Sequence, residues 1–218
     1  MPCAIDNGTW DPKIVLGETP VYEDGSACFT VPARTPVYFQ CLDGEGKCVQ
    51  TMRSWSTLMP GETFGCVGCH EDKNATPAPN FINTNAFKAG PRKLEPFYGP
   101  ARGFSFIQEI QPILDTHCVK CHNPEGKNPK FLLTGDVEPD SRAGRAWPQS
   151  YLNLTNRGNS NKWINWISVQ SAPPMLLPYA GGSTQSGIFK HLENHNDVKL
   201  SREELEKLTC WIDDSPGQ

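Results

Sequence analysis

The pentapeptide Cys-Val-x-Cys-His occurs twice in this chain, at residues 66–70 and 118–122. Each copy presents two thiols three positions apart, followed at once by an imidazole. One turn of backbone can therefore offer both thiols to the two vinyl groups of one haem while the imidazole lies beneath the iron, which is the attachment signature of c-type haem. A CxxC pair alone is also typical of a redox dithiol or of half a zinc site. Two copies, each completed by histidine and without a further CxxC at zinc-finger spacing, favour two covalently bound haem c groups over zinc or disulfides.

The two motifs assign six residues to the haems. The predicted thioether cysteines are Cys66, Cys69, Cys118 and Cys121, and the predicted proximal iron ligands are His70 and His122. The candidates for the sixth position on the two irons are His117, His191, His195 and Met175. No residue is assigned a catalytic role.

His195 is the preferred sixth ligand of the second haem, because it lies in a loop between two predicted helices, from which a side chain can reach an iron. Met175 is the rival, and Met/His ligation would raise the reduction potential relative to two imidazoles. His117 directly precedes Cys118 and could ligate the first haem, as could His191. A further alternative is that the first iron has no sixth protein ligand, which would make it a site for small-molecule chemistry.

The composition predicts a loop-rich globular chain. Its 218 residues fit one domain or two small ones, and 19 glycines, 20 prolines and a charged fraction of 20% argue against a coiled coil or a disordered chain. The net charge of -4 gives no reason to expect nucleic acid as a partner. A mildly acidic surface would suit a basic redox partner.

The chain has nine cysteines, more than a reducing compartment usually tolerates. Haem attachment to such motifs takes place outside the cytoplasmic membrane, so the predicted location is periplasmic or extracellular. No signal sequence follows Met1, and no apolar run reaches the roughly 20 residues that span a bilayer, so a trimmed chain without a transmembrane segment is expected.

Five cysteines lie outside the motifs: Cys3, Cys28, Cys41, Cys48 and Cys210. Cys41 and Cys48 flank a turn signal, and if Leu42 pairs with Lys47 they become the next cross-strand pair and could form a disulfide. Cys3 with Cys28 is the lesser candidate pair, and Cys210 is expected to be a buried free thiol.

The predicted fold class is α+β, with a small N-terminal antiparallel β-sheet followed by a mostly α-helical, loop-rich cytochrome c-type domain. Residues 1–103 form the β-rich region with the first haem, and residues 104–218 form the helical domain with the second. Strands are predicted at 19–22, 27–31, 37–42 and 48–54, where Val, Tyr, Phe and Thr are frequent. Residues 71–103 are predicted to be a long connection, since they contain five prolines and little periodicity.

Capping patterns place the helices of the second half. Residues 105–108 have the form of a capping box before an apolar face that leads to Cys118, although Pro112 would disturb a helix there. Residues 201–204 form a second box, followed by an apolar stripe at Leu205, Leu208, Trp211 and Ile212. Short helices are predicted at 149–154 and 188–194, and residues 162–169 could be a strand or a helical turn.

The sequence around the motifs resembles the haem-bearing C-terminal region of the hydrazine synthase alpha subunit and its relatives. In the first half the resemblance is carried by EDGSA at 23–27, VPARTPVYFQ at 31–40, VQTMRSW at 49–55, PGE at 60–62 and CVGCHE at 66–71. In the second half it is carried by ILD at 113–115, PY at 178–179, GGS at 181–183, His195 with VKLS at 198–201, and CWID at 210–213.

The resemblance implies two c-type haems, the second with two axial histidines, which favours His195 over Met175. In the active family member, which is larger, nitric oxide and ammonium are joined at a haem whose iron is bound by a tyrosine shortly after the first motif, while the motif histidine is drawn to zinc. Here the residues after His70 are Glu-Asp-Lys-Asn, and the first tyrosine that follows is Tyr98. This difference argues against hydrazine formation and favours ordinary iron ligation by His70.

The leading hypothesis is therefore a di-haem c-type cytochrome that transfers electrons in an extracytoplasmic redox system, with a redox protein or a larger complex as its partner. The first alternative is a hydrazine synthase-like haem enzyme of nitrogen redox chemistry with an open first haem. The second is a subunit of a polymeric multihaem cytochrome, in which chains associate as a homo-oligomer or filament.

Overall fold

The protein combines short helices with small antiparallel sheets. The structure is a computed structural model and describes residues 13–52, 55–66, 82–140, 144–155, 163–166, 176–195 and 197–214. Both element types occur along these residues, so the prediction of an α+β fold is confirmed. The cytochrome c-type character of the second half and the boundary at residue 103 remain predictions.

In the first half the strands pair mainly with a later segment of the chain. Strand β1 (Ile14–Val15) pairs with β4 (Arg102–Gly103), and single bridges join Glu18 to Glu95 and Phe29 to Arg92. The predicted strands 19–22 and 27–31 are wrong, because neither forms. Cys28 and Thr30 bond instead to Arg92, and Glu18 bonds to Glu95, both in the segment 92–95. That segment also follows a helix, α1 (Asn85–Ala89), which begins at Thr84 with a side-chain cap to Phe87.

The one predicted hairpin that forms is β2 (Gln40–Leu42) with β3 (Cys48–Thr51). Its register differs from the prediction, because a bulge pairs Leu42 with Cys48 and Cys41 with Gln50. The Asp43 carboxylate accepts hydrogen bonds from the backbone N–H groups of Glu45 and Lys47. These bonds keep Lys47 in the turn, so the strand pairing begins at Cys48. The predicted Cys41–Cys48 disulfide is wrong, since the buried Cys48 is a free thiol. Cys3, and with it the alternative pair, lies outside the described residues.

The segment before the second motif starts with one wide π turn, Phe106–Ile110, and continues as α2 (Gln111–His117). Pro112 was predicted to disturb a helix here, but it lies in the first turn of α2, where its missing N–H costs no helical hydrogen bond. The predicted capping box at Ser105 is wrong, because that side chain makes no cap bond and the turn is instead closed by the N–H of Gln111 on the carbonyl of Phe106.

The remaining elements enclose the core of the second half. They are the hairpin β5 (Val137–Asp140) and β6 (Arg145–Pro148), which the sequence did not predict, and α3 (Gln149–Thr155), α4 (Gly187–Glu193) and α5 (Arg202–Asp214), which it did. A 3-10 turn, Gly182–Gln185, precedes α4. The buried cluster comprises Phe106, Ile110, Leu114, Leu133, Tyr151, Leu152, Leu154, Ile164, Ile188, Phe189, Leu208, Trp211 and Ile212. The predicted stripe on α5 is wrong at Leu205, which is exposed because it lies in the first turn, before the helix reaches the core.

The end of α5 docks on the N-terminal hairpin. The Asp213 carboxylate accepts hydrogen bonds from the backbone N–H of Cys48 (3.0 Å) and from the N–H and hydroxyl of Ser183 (both 2.7 Å). Next to it, Asp214 accepts from the Tyr38 hydroxyl and from the Cys210 thiol, which is a free thiol as predicted.

None of the described helices has both the length and the apolar composition that a membrane span requires.

Candidate haem-attachment site

The second motif begins where α2 ends. The N–H groups of Cys118 and Val119 both bond to the carbonyl of Leu114, at 2.8 and 2.9 Å, which closes the last turn of the helix. The carbonyl of Cys118 then accepts the N–H groups of Cys121 (3.1 Å) and His122 (3.0 Å). This tight turn holds both thiols and the imidazole within one short stretch of backbone. Cys118 and Cys121 are half-buried, and neither forms a disulfide.

The Cys118 thiol is protonated at neutral pH. Burial, with a smaller contribution from Cys121, raises its pKa to about 11. Redox-active CxxC pairs work through a thiol whose pKa is lowered instead. Addition to a haem vinyl group needs only two adjacent thiols that are not already bonded to each other, and this pair meets that requirement.

His122 is fixed in the orientation that a metal ligand needs. Its Nδ1 lies 2.8 Å from the carbonyl oxygen of Phe131, and because a carbonyl can only accept, Nδ1 carries the proton and donates it. The lone pair is therefore on Nε2. A backbone carbonyl on Nδ1 is the usual way to set the tautomer of a metal-ligating histidine. The residues present thus fit a haem whose iron is bound by His122.

The loop that returns from the motif to Phe131 is anchored to the motif itself. The N–H of Asn128 donates to the carbonyl of Cys121 (2.8 Å), and the N–H of Leu133 donates to the carbonyl of His122 (2.9 Å). A Cβ atom at Gly126 would collide with the carbonyl of Cys121, so the loop packs against the motif as closely as a glycine allows. These contacts hold the Phe131 carbonyl within hydrogen-bond distance of His122 Nδ1.

A run of aromatic rings connects His122 to two of the candidate sixth ligands. Neighbouring ring centroids are 5.8 Å apart for His122 and Phe131, 5.1 Å for Phe131 and Trp163, 5.2 Å for Trp163 and His191, and 5.3 Å for His191 and His195. A continuous series of ring contacts therefore connects both histidines to the second motif. His191 is exposed and His195 is half-buried. Sequence reasoning did not find Phe131 and Trp163, because no local pattern distinguishes them from core aromatics.

His117 makes a contact of a different kind. Its Nε2 donates to the Glu204 carboxylate at 2.8 Å. The other oxygen of Glu204 accepts from the backbone N–H (2.7 Å) and hydroxyl (2.9 Å) of Ser201, so the predicted capping box of α5 is confirmed. Burial opposes ionisation of Glu204, but the hydrogen bonds from Ser201 and His117 hold its pKa below the usual value. The last residue of α2 is in this way tied to the first turn of α5.

The first motif lies almost entirely outside the described residues. Of its predicted haem residues only Cys66 is described, and its side chain is exposed; Cys69 and His70 lie outside, as does Met175. The segment 55–66 that leads to Cys66 exposes Trp55, Met59 and Phe64. In the part of the chain that the structure describes, no group of three or more His, Cys, Asp or Glu side chains could hold a metal ion.

Comparison with known proteins finds similarity to the hydrazine synthase alpha subunit. Residues 2–71 match the family model described as the hydrazine synthase alpha subunit middle domain. The hydrazine synthase subunit alpha of Kuenenia stuttgartiensis is 27% identical over 263 aligned positions, which cover 91% of this chain and 32% of that protein. The chain thus spans about a third of the length of this relative. The correspondence to a C-terminal di-haem region is not confirmed, because the family model that matches is that of the middle domain.

Among solved structures, Kuenenia stuttgartiensis hydrazine synthase is similar to the chain, with a TM-score of 0.48 and 21% sequence identity. The superposition covers 82% of this chain and 29% of that one.

Proposed function

Starting from the relationship to the hydrazine synthase alpha subunit, we propose that this chain is a haem c-bearing module of a protein of nitrogen redox chemistry. In this proposal Cys118 and Cys121 bind one haem covalently, with His122 and His195 on its iron. Cys66, Cys69 and His70 bind the other. The relationship supports such an enzyme-like protein more than a plain electron-transfer cytochrome, which was the leading hypothesis from the sequence.

The hydrogen bond from His122 Nδ1 to the carbonyl of Phe131 is the observation that carries the haem assignment. It leaves Nε2 as the only nitrogen able to bind a metal, and it orients that nitrogen without using any side chain that could compete for the iron. The two unbridged thiols at the start of the same turn supply the covalent attachment. Haem c would supply one-electron chemistry at this site.

The residues of the chain determine what kind of haem each site would hold. At the second motif two histidines lie close to the aromatic run from His122, so a six-coordinate haem is supported there, and such haems are normally electron carriers. Most of the first motif lies outside the described residues, and His117, the candidate for its sixth ligand, donates its Nε2 to Glu204. We therefore assign the small-molecule chemistry to the first haem and electron supply to the second.

The product of that chemistry is not assigned as hydrazine. The residues that follow His70 include no tyrosine before Tyr98. Tyr98 donates its hydroxyl to the Glu206 carboxylate at 2.5 Å, and this interaction raises its pKa to about 12. Reduction or coupling of a small nitrogen oxide at an open iron is the reaction class that the proposal retains.

The partner and location belong to the same proposal. The relative carries the name of a subunit, which supports a multi-subunit complex as the setting. The extracytoplasmic location is proposed from the two haem-attachment motifs. A filament of identical chains is the other arrangement, and light scattering of the purified protein distinguishes the two.

The test is to express the chain together with a cytochrome c maturation system and to measure its mass and visible spectrum. Two covalent haems are expected, and the C118A/C121A variant should retain one. Addition of nitric oxide or cyanide should then shift a high-spin signal that is present in both proteins. If both haems give low-spin spectra that do not change when nitric oxide or cyanide is added, the protein is an electron carrier and not an enzyme. A mass without haem would refute the whole proposal.

A further inference from the structure

The second motif and the loop that follows it to Phe131 carry three lysines, Lys120, Lys127 and Lys130, and one acidic residue, Glu125. We call residues 118–131 the lysine loop. All three lysine side chains are exposed. Three positive charges against one negative charge leave the loop cationic, whereas the whole chain has a net charge of -4.

The ammonium groups of these lysines form no ion pairs with the other described residues. Within the described residues, other lysines form ion pairs: Lys47 with Glu45, and Lys207 with Glu109 and Glu203. No ion pair, side-chain hydrogen bond or ring contact among those residues involves the ammonium groups of the lysine loop. Their charges therefore face solvent without internal compensation.

The backbone presents these charges in a fixed place. Lys120 lies between the two motif cysteines, and Lys127 lies next to Asn128, whose N–H donates to the carbonyl of Cys121. Lys130 precedes Phe131, whose carbonyl accepts from His122. Since each lysine is adjacent to a backbone hydrogen bond of the motif, the loop loses little freedom when it binds, which favours recognition.

We propose that the lysine loop is the docking surface for a protein partner that presents a cluster of carboxylates, and that this partner binds directly beside Cys118 and Cys121. The proposal rests on the proposed function in one respect: the redox role of such a partner depends on the haem. The net charge of the chain predicts a basic partner, but the charge beside the site has the opposite sign.

The number of charges selects a protein over a membrane or a nucleic acid. Segments that bind anionic membranes typically carry clusters of about 4–8 lysines and arginines, and the lysine loop has three and an opposing Glu125. Exposed ion pairs are individually weak and are screened by salt, so the expected complex is transient. Short-lived docking with electrostatic steering suits a partner that must arrive and leave rapidly.

The experiment compares two double variants of equal charge. K127E/K130E reverses the charge of the lysine loop. K88E/K93E reverses two exposed lysines at the end of α1 and just after it, in the segment 88–93, which is at least as basic because it also contains Arg92. Binding to immobilised poly-L-glutamate is measured for the haem-loaded proteins at low ionic strength. We expect the loop variant to bind at least about tenfold more weakly than the wild type and the control variant less than about threefold.

Salt and lipid arms complete the test. Binding of the wild type should disappear by about 0.5 M sodium chloride, where the Debye length is a few ångströms. Equal weakening in both variants, or in neither, would overturn the proposal, and so would loop-dependent binding to phosphatidylserine vesicles without binding to poly-L-glutamate. Haem content is read separately by mass, so a protein without haem refutes the proposed function, whereas a haem-loaded protein with no loop-dependent binding refutes only the docking surface.

Discussion

The carboxylate of Asp213, near the end of α5, accepts the backbone N–H of Cys48, which lies 165 positions earlier in strand β3. Ser183 donates its N–H and its hydroxyl to the same carboxylate, and Asp213, Cys48 and Ser183 are all buried. One side chain therefore satisfies three buried donors from two other segments. Because an unsatisfied buried donor costs free energy, this junction fastens the N-terminal hairpin to the helical half.

Removing that carboxylate should destabilise the fold. In Asp213→Ala the three donors are left buried without an acceptor, at about 1–3 kcal/mol each before relaxation. Water entry would recover part of this, so we expect a loss of about 3–4 kcal/mol in the free energy of unfolding, measured by urea titration. Asp136→Ala is the control, since that side chain is exposed and should change stability by less than about 0.5 kcal/mol. Equal losses in the two variants would refute the role of the junction.

Asp213 also predicts how stability changes with pH. Burial raises the pKa of Asp213 to about 6, although hydrogen bonds from Ser183 and Cys48 oppose the shift. Burial also raises the pKa of the neighbouring Asp214, against hydrogen bonds from Tyr38 and Cys210. The folded state thus holds the proton more tightly than the unfolded chain, whose value is 3.8, so stability is greatest below pH 4 for this group and falls as pH rises to about 6.

The measurement is the free energy of unfolding between pH 4 and pH 7 for the wild type and Asp213→Asn. Residue 213 cannot titrate in the asparagine variant, so the decline between about pH 4 and 6 should be smaller than in the wild type, and the part due to Asp214 should remain. Two parallel profiles would contradict the assignment of the decline to Asp213.

Local sequence patterns predicted those features that depend on neighbouring residues. The end of α2 at the second motif, the Ser201–Glu204 cap and the short helix that carries His191 follow from spacing of three or four positions, and the structure has them. The register of β2 and β3 was wrong because a bulge depends on how the turn at Asp43 closes. A pattern read over a few residues cannot distinguish these two registers.

Contacts between segments that are far apart in the sequence could not be predicted from such local patterns. The run of rings through Phe131 and Trp163 and the junction at Asp213 each join residues more than 25 positions apart. Nothing in the composition around Trp163 indicates that it lies between Phe131 and His191, because aromatic residues in a core and beside a cofactor have the same local neighbours. The motif therefore located the candidate site, and only the fold revealed what surrounds it.

A second buried carboxylate, that of Glu109, should change the stability with pH in the direction opposite to Asp213. Glu109 lies in the π turn and binds Arg102 through two hydrogen bonds of 2.6 and 2.8 Å, with Lys207 at 3.4 Å. The hydrogen bond from Arg102 holds the pKa of Glu109 below its usual value, although burial opposes this. The stabilisation is therefore present above the unfolded pKa of about 4.3 and is lost as pH falls through the lower, folded value.

Glu109→Gln tests this pair because the amide keeps the shape but not the charge. We expect a loss of about 2 kcal/mol at pH 7 in urea unfolding, since Arg102 is partly exposed and regains some hydration. The loss should shrink at acidic pH, where the wild-type carboxylate is itself protonated. Glu203→Gln is the matched control, because Glu203 is about half exposed and, among the described residues, its ion pair is with Lys207. A loss that stays constant with pH would contradict the prediction.

The contact between His117 and Glu204 predicts an energetic coupling between α2 and α5. Glu204→Ala removes both the cap on Ser201 and the imidazole partner, whereas Ser201→Ala removes only the hydroxyl part of the cap. We expect losses of about 2 kcal/mol and about 1 kcal/mol respectively. In a double-mutant cycle His117→Ala with Glu204→Ala should show a coupling of about 0.5–1 kcal/mol, because both side chains are only about a quarter exposed. The same cycle with Ser201→Ala in place of Glu204→Ala should be additive within about 0.5 kcal/mol, and additivity in both cycles would mean that the two helices are joined by core packing alone.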